Sequence, residues 1–262
     1  MYEIQTYLGA DGLMHCTVCK EPVEAFYPKG SLLEMRKHHR QCACERKAYA
    51  EEAQYYKEKE HRELIARNKK ICFEEKEMEG FTFQNVERDS GVIRIAEEYV
   101  TNWQKMKQNH MGYLFWGPVG TGKSYLAACI ANALLEKEVT VKMTNFNTIL
   151  NDLFAAEDKT EYIRLLNGYE LLIIDDLGVE RSSEYVLENI FSVIDWRYRS
   201  GKPLIITTNL PLAQLKQETK IEKKRIYDRI LERCIPVKID GVSRREAMAN
   251  DNMQTMKNIL KI

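Results

Sequence analysis

The stretch GYLFWGPVGTGKSYLAACIANALL, residues 112–135, joins a short apolar run to a glycine-rich turn and then to an alanine- and leucine-rich segment. GYLFW (112–116) reads as a buried strand and 123–137 as a helix. Between them, Gly117, Pro118, Val119, Gly120, Thr121, Gly122, Lys123 and Ser124 fit the phosphate-loop pattern G-x-x-x-x-G-K-[ST] at every fixed position. In that pattern, glycines let successive backbone N–H groups turn inward onto phosphate oxygens. The following helix adds its positive end. Lys123 is expected to reach the β- and γ-phosphates of ATP, and the hydroxyl of Ser124 to ligate Mg2+. Tyr125 follows directly and is grouped with the ATP-contacting residues.

Two further stretches supply what a phosphate loop needs. LLIIDDLG (171–178) is an apolar strand ending in two acids. Asp175 is placed to hold Mg2+, and Asp176 to polarise an attacking water. PLIITTNLP (203–211) is a second strand ending in polar residues, of which Asn209 is the candidate to hold that water and sense the γ-phosphate. VTVKM (139–143) and IPVKI (235–239) read as two more strands. Helices are expected over 146–156, 159–167, 183–200 and 222–233. Strands alternating with helices predict an α/β fold, a mostly parallel sheet with helices on both faces.

The front of the chain has another texture. Cys16 and Cys19 form C-x2-C, and Cys42 and Cys44 form C-x-C after a 22-residue gap. Two thiolate pairs across a loop make a four-coordinate Zn2+ site, closed to water and so structural. The C-x-C half is expected to carry the strain. His15, His38 or His39 could stand in for a cysteine. A short polar segment has little core in which to bury four unrelated cysteines. The lone Cys72, Cys129 and Cys234 read as buried or linker residues. From 45 to 79, 19 of 35 residues are Asp, Glu, Lys or Arg, which predicts a solvated helix without a clean heptad. The expected organisation is therefore a zinc-binding segment 1–46, a helical linker 47–80 and a nucleotide domain 81–262.

Composition sets the limits. The chain has 262 residues, 44% of them apolar, with 39 Lys or Arg against 39 Asp or Glu. Zero formal net charge argues against a basic coat for nucleic acid. No basic-then-apolar leader opens the sequence, and no apolar run is long enough to span a membrane. A cytoplasmic protein is expected.

The fragments FTFQNVERD, GPVGTGKSYLAACIANAL, LLIIDDLGVE, PLIITTNLP and RIYDRILERC, spread over residues 80–250, resemble the AAA+ ATPases. Within these they resemble the replicative helicase loaders of the DnaC/DnaI type. The resemblance implies a sheet ordered 5-1-4-3-2 and ATP hydrolysis. It also implies a hexameric DnaB-type helicase and single-stranded DNA as partners. It places Arg229 as an arginine finger acting in trans within a homo-oligomer, with Arg225 and Arg233 able to share the role. Arg244 or Arg245 falls at the sensor position that touches nucleotide. In relatives, the segment matching 144–167 lines a DNA channel, where Phe146, Lys159, Tyr162 and Arg164 could contact DNA or serve as ordinary helix residues. Most AAA+ members have Glu where this chain has Asp176; a shorter carboxylate implies slow turnover, suited to a switch. The cysteine-bearing front is similar to that of Gram-positive and phage loaders, which implies docking on the helicase. An IstB-like transposase helper is the alternative, and such proteins usually lack the cysteine-rich front.

Overall fold

The computed structural model describes residues 5–33, 36–85, 91–178, 183–241 and 243–260; the side chains of 85, 244–248, 250, 251 and 258 lie outside that description. The chain divides into two compact units, Met1–Leu64 and Ile65–Ile262.

In the first unit, β1 (Thr6–Leu8) pairs antiparallel with β2 (Met14–Cys16), and β3 (Glu24–Phe26) with β4 (Lys37–His39). Helix α1 (Ala43–Cys72) follows. Its first turn is satisfied by acids: Cys42 N–H donates to Glu45 Oε2 at 3.0 Å, and Ala43 N–H to Glu21 Oε2 at 2.7 Å. The buried core here is Cys16, Val23 and Cys42. So few apolar groups cannot offset the conformational entropy of ordering this unit, which therefore needs a crosslink. Residues 49–63 of α1 are exposed, as the density of charge predicts.

The stretch 47–80 is not a linker along its whole length. Cys72 and Phe73 are buried in the core of the second unit, and Met78 and Phe81 pack against it. Asn132 donates to the carbonyls of Met78 and Phe81, which fastens this segment to the domain.

The second unit continues with α2 (Gly91–Thr101), α3 (Trp103–Gln108), β5 (Gly112–Trp116), α4 (Lys123–Leu135), β6 (Val141–Asn145) and α5 (Phe146–Ala155). Then come α6 (Lys159–Leu166), β7 (Leu171–Leu177), α7 (Glu184–Ser200), β8 (Leu204–Thr208) and α8 (Leu212–Lys216). Last are α9 (Ile221–Arg233), β9 (Cys234–Lys238) and α10 (Arg244–Leu260). Five parallel strands form the sheet in the order β6-β7-β8-β5-β9. These chain-wide labels differ from 5-1-4-3-2 because four short strands precede the sheet. Counted alone, its strands run 2-3-4-1-5 from one edge, or 5-1-4-3-2 from the other.

The apolar run of β7 serves both faces. Leu171 and Ile173 join Phe115, Ile130, Leu134 and Tyr99 on one side; Leu172 and Ile174 join Leu114, Ile149, Ile194 and Ile230 on the other. Strand β6 begins two residues later than expected. Glu138 takes a left-handed turn (φ 62°) and Val139 N–H bonds Leu134 O, so Val139 closes helix α4 instead. Helices α5, α6 and α7 start where side chains of Asn145, Asp158 and Ser183 accept backbone N–H groups.

At the strands' N-terminal ends, Arg197 is 1% exposed and donates to the carbonyls of Pro203, Tyr169 and Glu170. Burial pulls its guanidinium down to about 9. Arg197→Met takes this donor from the carbonyls of Tyr169 and Glu170, while Pro203 O keeps Leu172 N–H, and is expected to cost roughly 3 kcal/mol. A urea denaturation midpoint measures it.

Candidate nucleotide site and cysteine cluster

The phosphate loop runs from the end of β5 into α4. Gly117 has φ 147°, and a Cβ there would come within 2.2 Å of Ile239 O. Gly122 has φ 92° and caps α4 in a left-handed conformation that only glycine adopts without strain. Lys123, 5% exposed, donates through Nζ to Gly117 O (3.1 Å) and Pro118 O (2.7 Å). Thr121 Oγ1 donates to Pro118 O at 2.9 Å. Tyr125 stacks on Phe81 at 4.5 Å and donates its hydroxyl to Thr82 O. It therefore braces the segment ahead of the domain.

The ends of β7 and β8 meet this loop. Asp175 accepts hydrogen bonds from the Thr207 and Ser124 hydroxyls. Burial pushes its carboxyl up. The two hydroxyls and Lys123 oppose that shift, while the Asp176 charge adds to it. Asp176 is exposed and sits at φ 55°, where the β7–β8 register shifts between Ile174 and Leu177. Asn209 Nδ2 lies 3.5 Å from Asp176 Oδ1. Lys123, Ser124, Asp175, Asp176 and Asn209 thus come to one edge of the sheet, at the carboxyl ends of three strands. These residues suit a nucleotide triphosphate with Mg2+: a glycine cradle that a Cβ would fill, a buried ammonium, and a hydroxyl beside a carboxylate.

Arg229 does not extend freely. Its Nε is 2.7 Å from Asp195 Oδ1, its Nη1 donates to Arg225 O at 3.1 Å, and its guanidinium lies 4.7 Å from the Phe191 ring. Asp195 also pairs with Arg199 at 2.7 Å. Arg225 covers the same ring at 4.2 Å, and Arg233 stacks on Tyr198 at 4.6 Å. Arg244 and Arg245 open α10, and their side chains lie outside the described residues.

Of the four residues in 144–167 that could face DNA, Phe146 does not, whereas Lys159 and Arg164 are exposed. Phe146 is 2% exposed in the core and cannot stack on a base. Tyr162 gives its hydroxyl to Asp152, Arg164 pairs with Glu161, and Lys159 bonds Tyr185. The apolar spacing of Phe146, Ile149 and Leu153 (i, i+3, i+7) was the signal that marks the inward face of this helix.

In the first unit, Cys16, Cys19, Cys42 and Cys44 bring their sulfurs within 4.8 Å of one another. A tetrahedral zinc with bonds of about 2.3 Å sets sulfurs roughly 3.8 Å apart, so this cluster fits one ion with a small contraction. Backbone N–H groups of Glu21 and Cys44 pull the Cys19 thiol down to about 6; the Cys19 sulfur and burial push Cys44 up to about 12. The histidines are engaged elsewhere: His15 with Asp11 and Lys20 O, His38 with His39 O, His39 with Glu45. Lys20, next to Cys19, takes a left-handed backbone (φ 63°), and Cys44 sits in the opening turn of α1. Cys72, Cys129 and Cys234 are all buried.

Sequence reasoning assigned nothing to Thr207 or Asp195. Thr207 lay inside the polar strand end, but its partners come from another strand. Asp195 had no signal beyond one acid in a helix.

The fold and the loop define a phosphate-loop nucleotide-binding domain of the AAA+ type. Residues 48–251 match the IstB-like ATP binding proteins, and the chain belongs to that family. It is 24% identical over 192 residues to the replicative helicase loader DnaI of Bacillus subtilis (strain 168), covering 67% of this chain and 62% of the relative. It is 29% identical over 149 residues to the replicative helicase loader DnaC of Escherichia coli (strain K12), covering 55% and 58%. The chain thus spans about six-tenths of the length of these relatives. The crystal structure of DnaI matches 68% of this chain and 99% of its own, with a TM-score of 0.58 at 25% identity. Among the described residues no helix is long and apolar enough to cross a membrane.

Proposed function

We propose that the protein is an ATP-dependent loader of a hexameric, DnaB-type replicative helicase onto single-stranded DNA. The observation that carries this is the pairing of a complete phosphate-loop site with a separate four-cysteine unit. The names of the two relatives support the same reading. Lys123 and the loop amides would bind the phosphates; Ser124 and, through water, Asp175 would hold Mg2+, which would neutralise phosphate charge. Asp176 accepts a proton from the attacking water, and Asn209 orients that water beside the γ-phosphate. The short reach of Asp176 makes turnover slow, so the nucleotide state acts as a switch. The cysteine unit holds Zn2+ and docks the helicase.

Arg229 would serve as the finger for a neighbouring copy once it exchanges its Asp195 contact for the γ-phosphate. Arg229→Ala is expected to lower turnover roughly a hundredfold with ATP affinity unchanged. Mixing it with Lys123→Ala is expected to recover part of the activity, because the second variant donates an intact Arg229. Recovery that fails at all mixing ratios would show that the arginine does not act between copies.

Family membership keeps one other reading, an IstB-like transposase helper. Capture experiments with the full chain decide between them. A loader retains a hexameric helicase and releases it when zinc is chelated; a helper retains a transposase and ignores chelation.

A further inference from the structure

Thr207, at the end of β8, is fully buried, and its hydroxyl touches both acids of the nucleotide site. Its Oγ1 accepts the Asp176 N–H at 2.9 Å, and the same hydroxyl donates to Asp175 Oδ1 at 2.5 Å. The first bond fixes the direction of the second, since the oxygen receiving an N–H turns its own hydrogen elsewhere. Asp176 needs such an anchor. Its backbone is left-handed, a conformation disfavoured outside glycine, and it lies where β7 slips against β8. Thr208 next door behaves differently: its hydroxyl donates to Leu177 O and accepts Leu210 N–H, so it only shapes the turn.

We infer that Thr207 is a positioning residue for the phosphate chemistry: one buried hydroxyl orients the Asp175 carboxylate beside Ser124 and pins the turn that sets Asp176 against Asn209. The inference rests on the phosphate-loop reading given above. Valine at 207 keeps the shape but strands an N–H and a carboxylate oxygen. Asp175 then keeps only the Ser124 hydroxyl of its two, and the carboxylate that would help hold Mg2+ is less ordered.

Thr207→Val and Thr207→Ser separate this from a packing role. The readouts are the affinity of a fluorescent ATP analogue in Mg2+ and in EDTA, and turnover. In Thr207→Val the gain in affinity from Mg2+ is expected to shrink roughly tenfold, with the affinity in EDTA unchanged and turnover falling at least as far. Thr207→Ser, which keeps the hydroxyl, is expected to recover both. A valine variant with its Mg2+ gain intact would overturn the inference. So would equal losses with and without Mg2+, or a serine variant no better than valine. Wild-type protein that shows the Mg2+ gain but hydrolyses nothing would remove the catalytic reading; loss of that gain in Thr207→Val would still support the positioning role. Circular dichroism checks folding, and Thr207→Ala takes the place of a valine variant that does not fold.

Discussion

Lys123→Ala is expected to lower ATP turnover by about a hundredfold or more and to weaken ATP binding. The ammonium is 5% exposed and rests on two carbonyls of its own loop. Alanine also strands the carbonyls of Gly117 and Pro118, so a modest loss of stability of about 1–3 kcal/mol is expected beside the loss of activity. Loss of the ammonium removes a positive charge from the phosphate loop, while the loop amides remain. A steady-state ATPase assay beside a thermal melt checks both halves. Hydrolysis that survives in Lys123→Ala would remove the site assignment. Wild-type turnover at the rate of a processive motor would remove the switch.

On the proposal that the four-cysteine cluster holds about one Zn2+ per chain, Cys42→Ser is expected to release it and to unfold the first unit. Cys42 is fully buried, and Cys16 and Val23 are the other buried apolar residues of that core. With so little burial, the unit depends on the crosslink for its order. The second unit has its own extensive core on both faces of the sheet, so ATP binding should persist. Metal analysis, limited proteolysis and nucleotide affinity on the full chain test this together. Intact hairpins in metal-free protein would contradict it. So would His39→Ala releasing the metal, since that ring faces Glu45 rather than the sulfurs.

The sheet and the phosphate loop were legible because each depends on a local signal. LLII reads as a two-sided strand, and the loop's fixed residues lie within eight positions, Gly117 to Ser124. The four cysteines were legible because their spacing carries the chemistry. What lay hidden depends on contacts between distant segments. Helices α2 and α3 were not foreseen, and Phe73 looked like part of a solvated helix although it is buried in the second core. Phe146 looked available for DNA although its place on the apolar stripe with Ile149 and Leu153 marks it as inward. Thr207 and Asp195 act through partners more than thirty residues away.

The most direct test of the account is a loading assay on closed circular single-stranded DNA. It uses the full chain, a hexameric replicative helicase and either ATP or ADP. The account predicts helicase retained on the circle with wild-type protein and ATP, and little retained with ADP or with Lys123→Ala. Helicase bound equally under all three conditions, or a chain that ignores the helicase and captures a transposase, would contradict it.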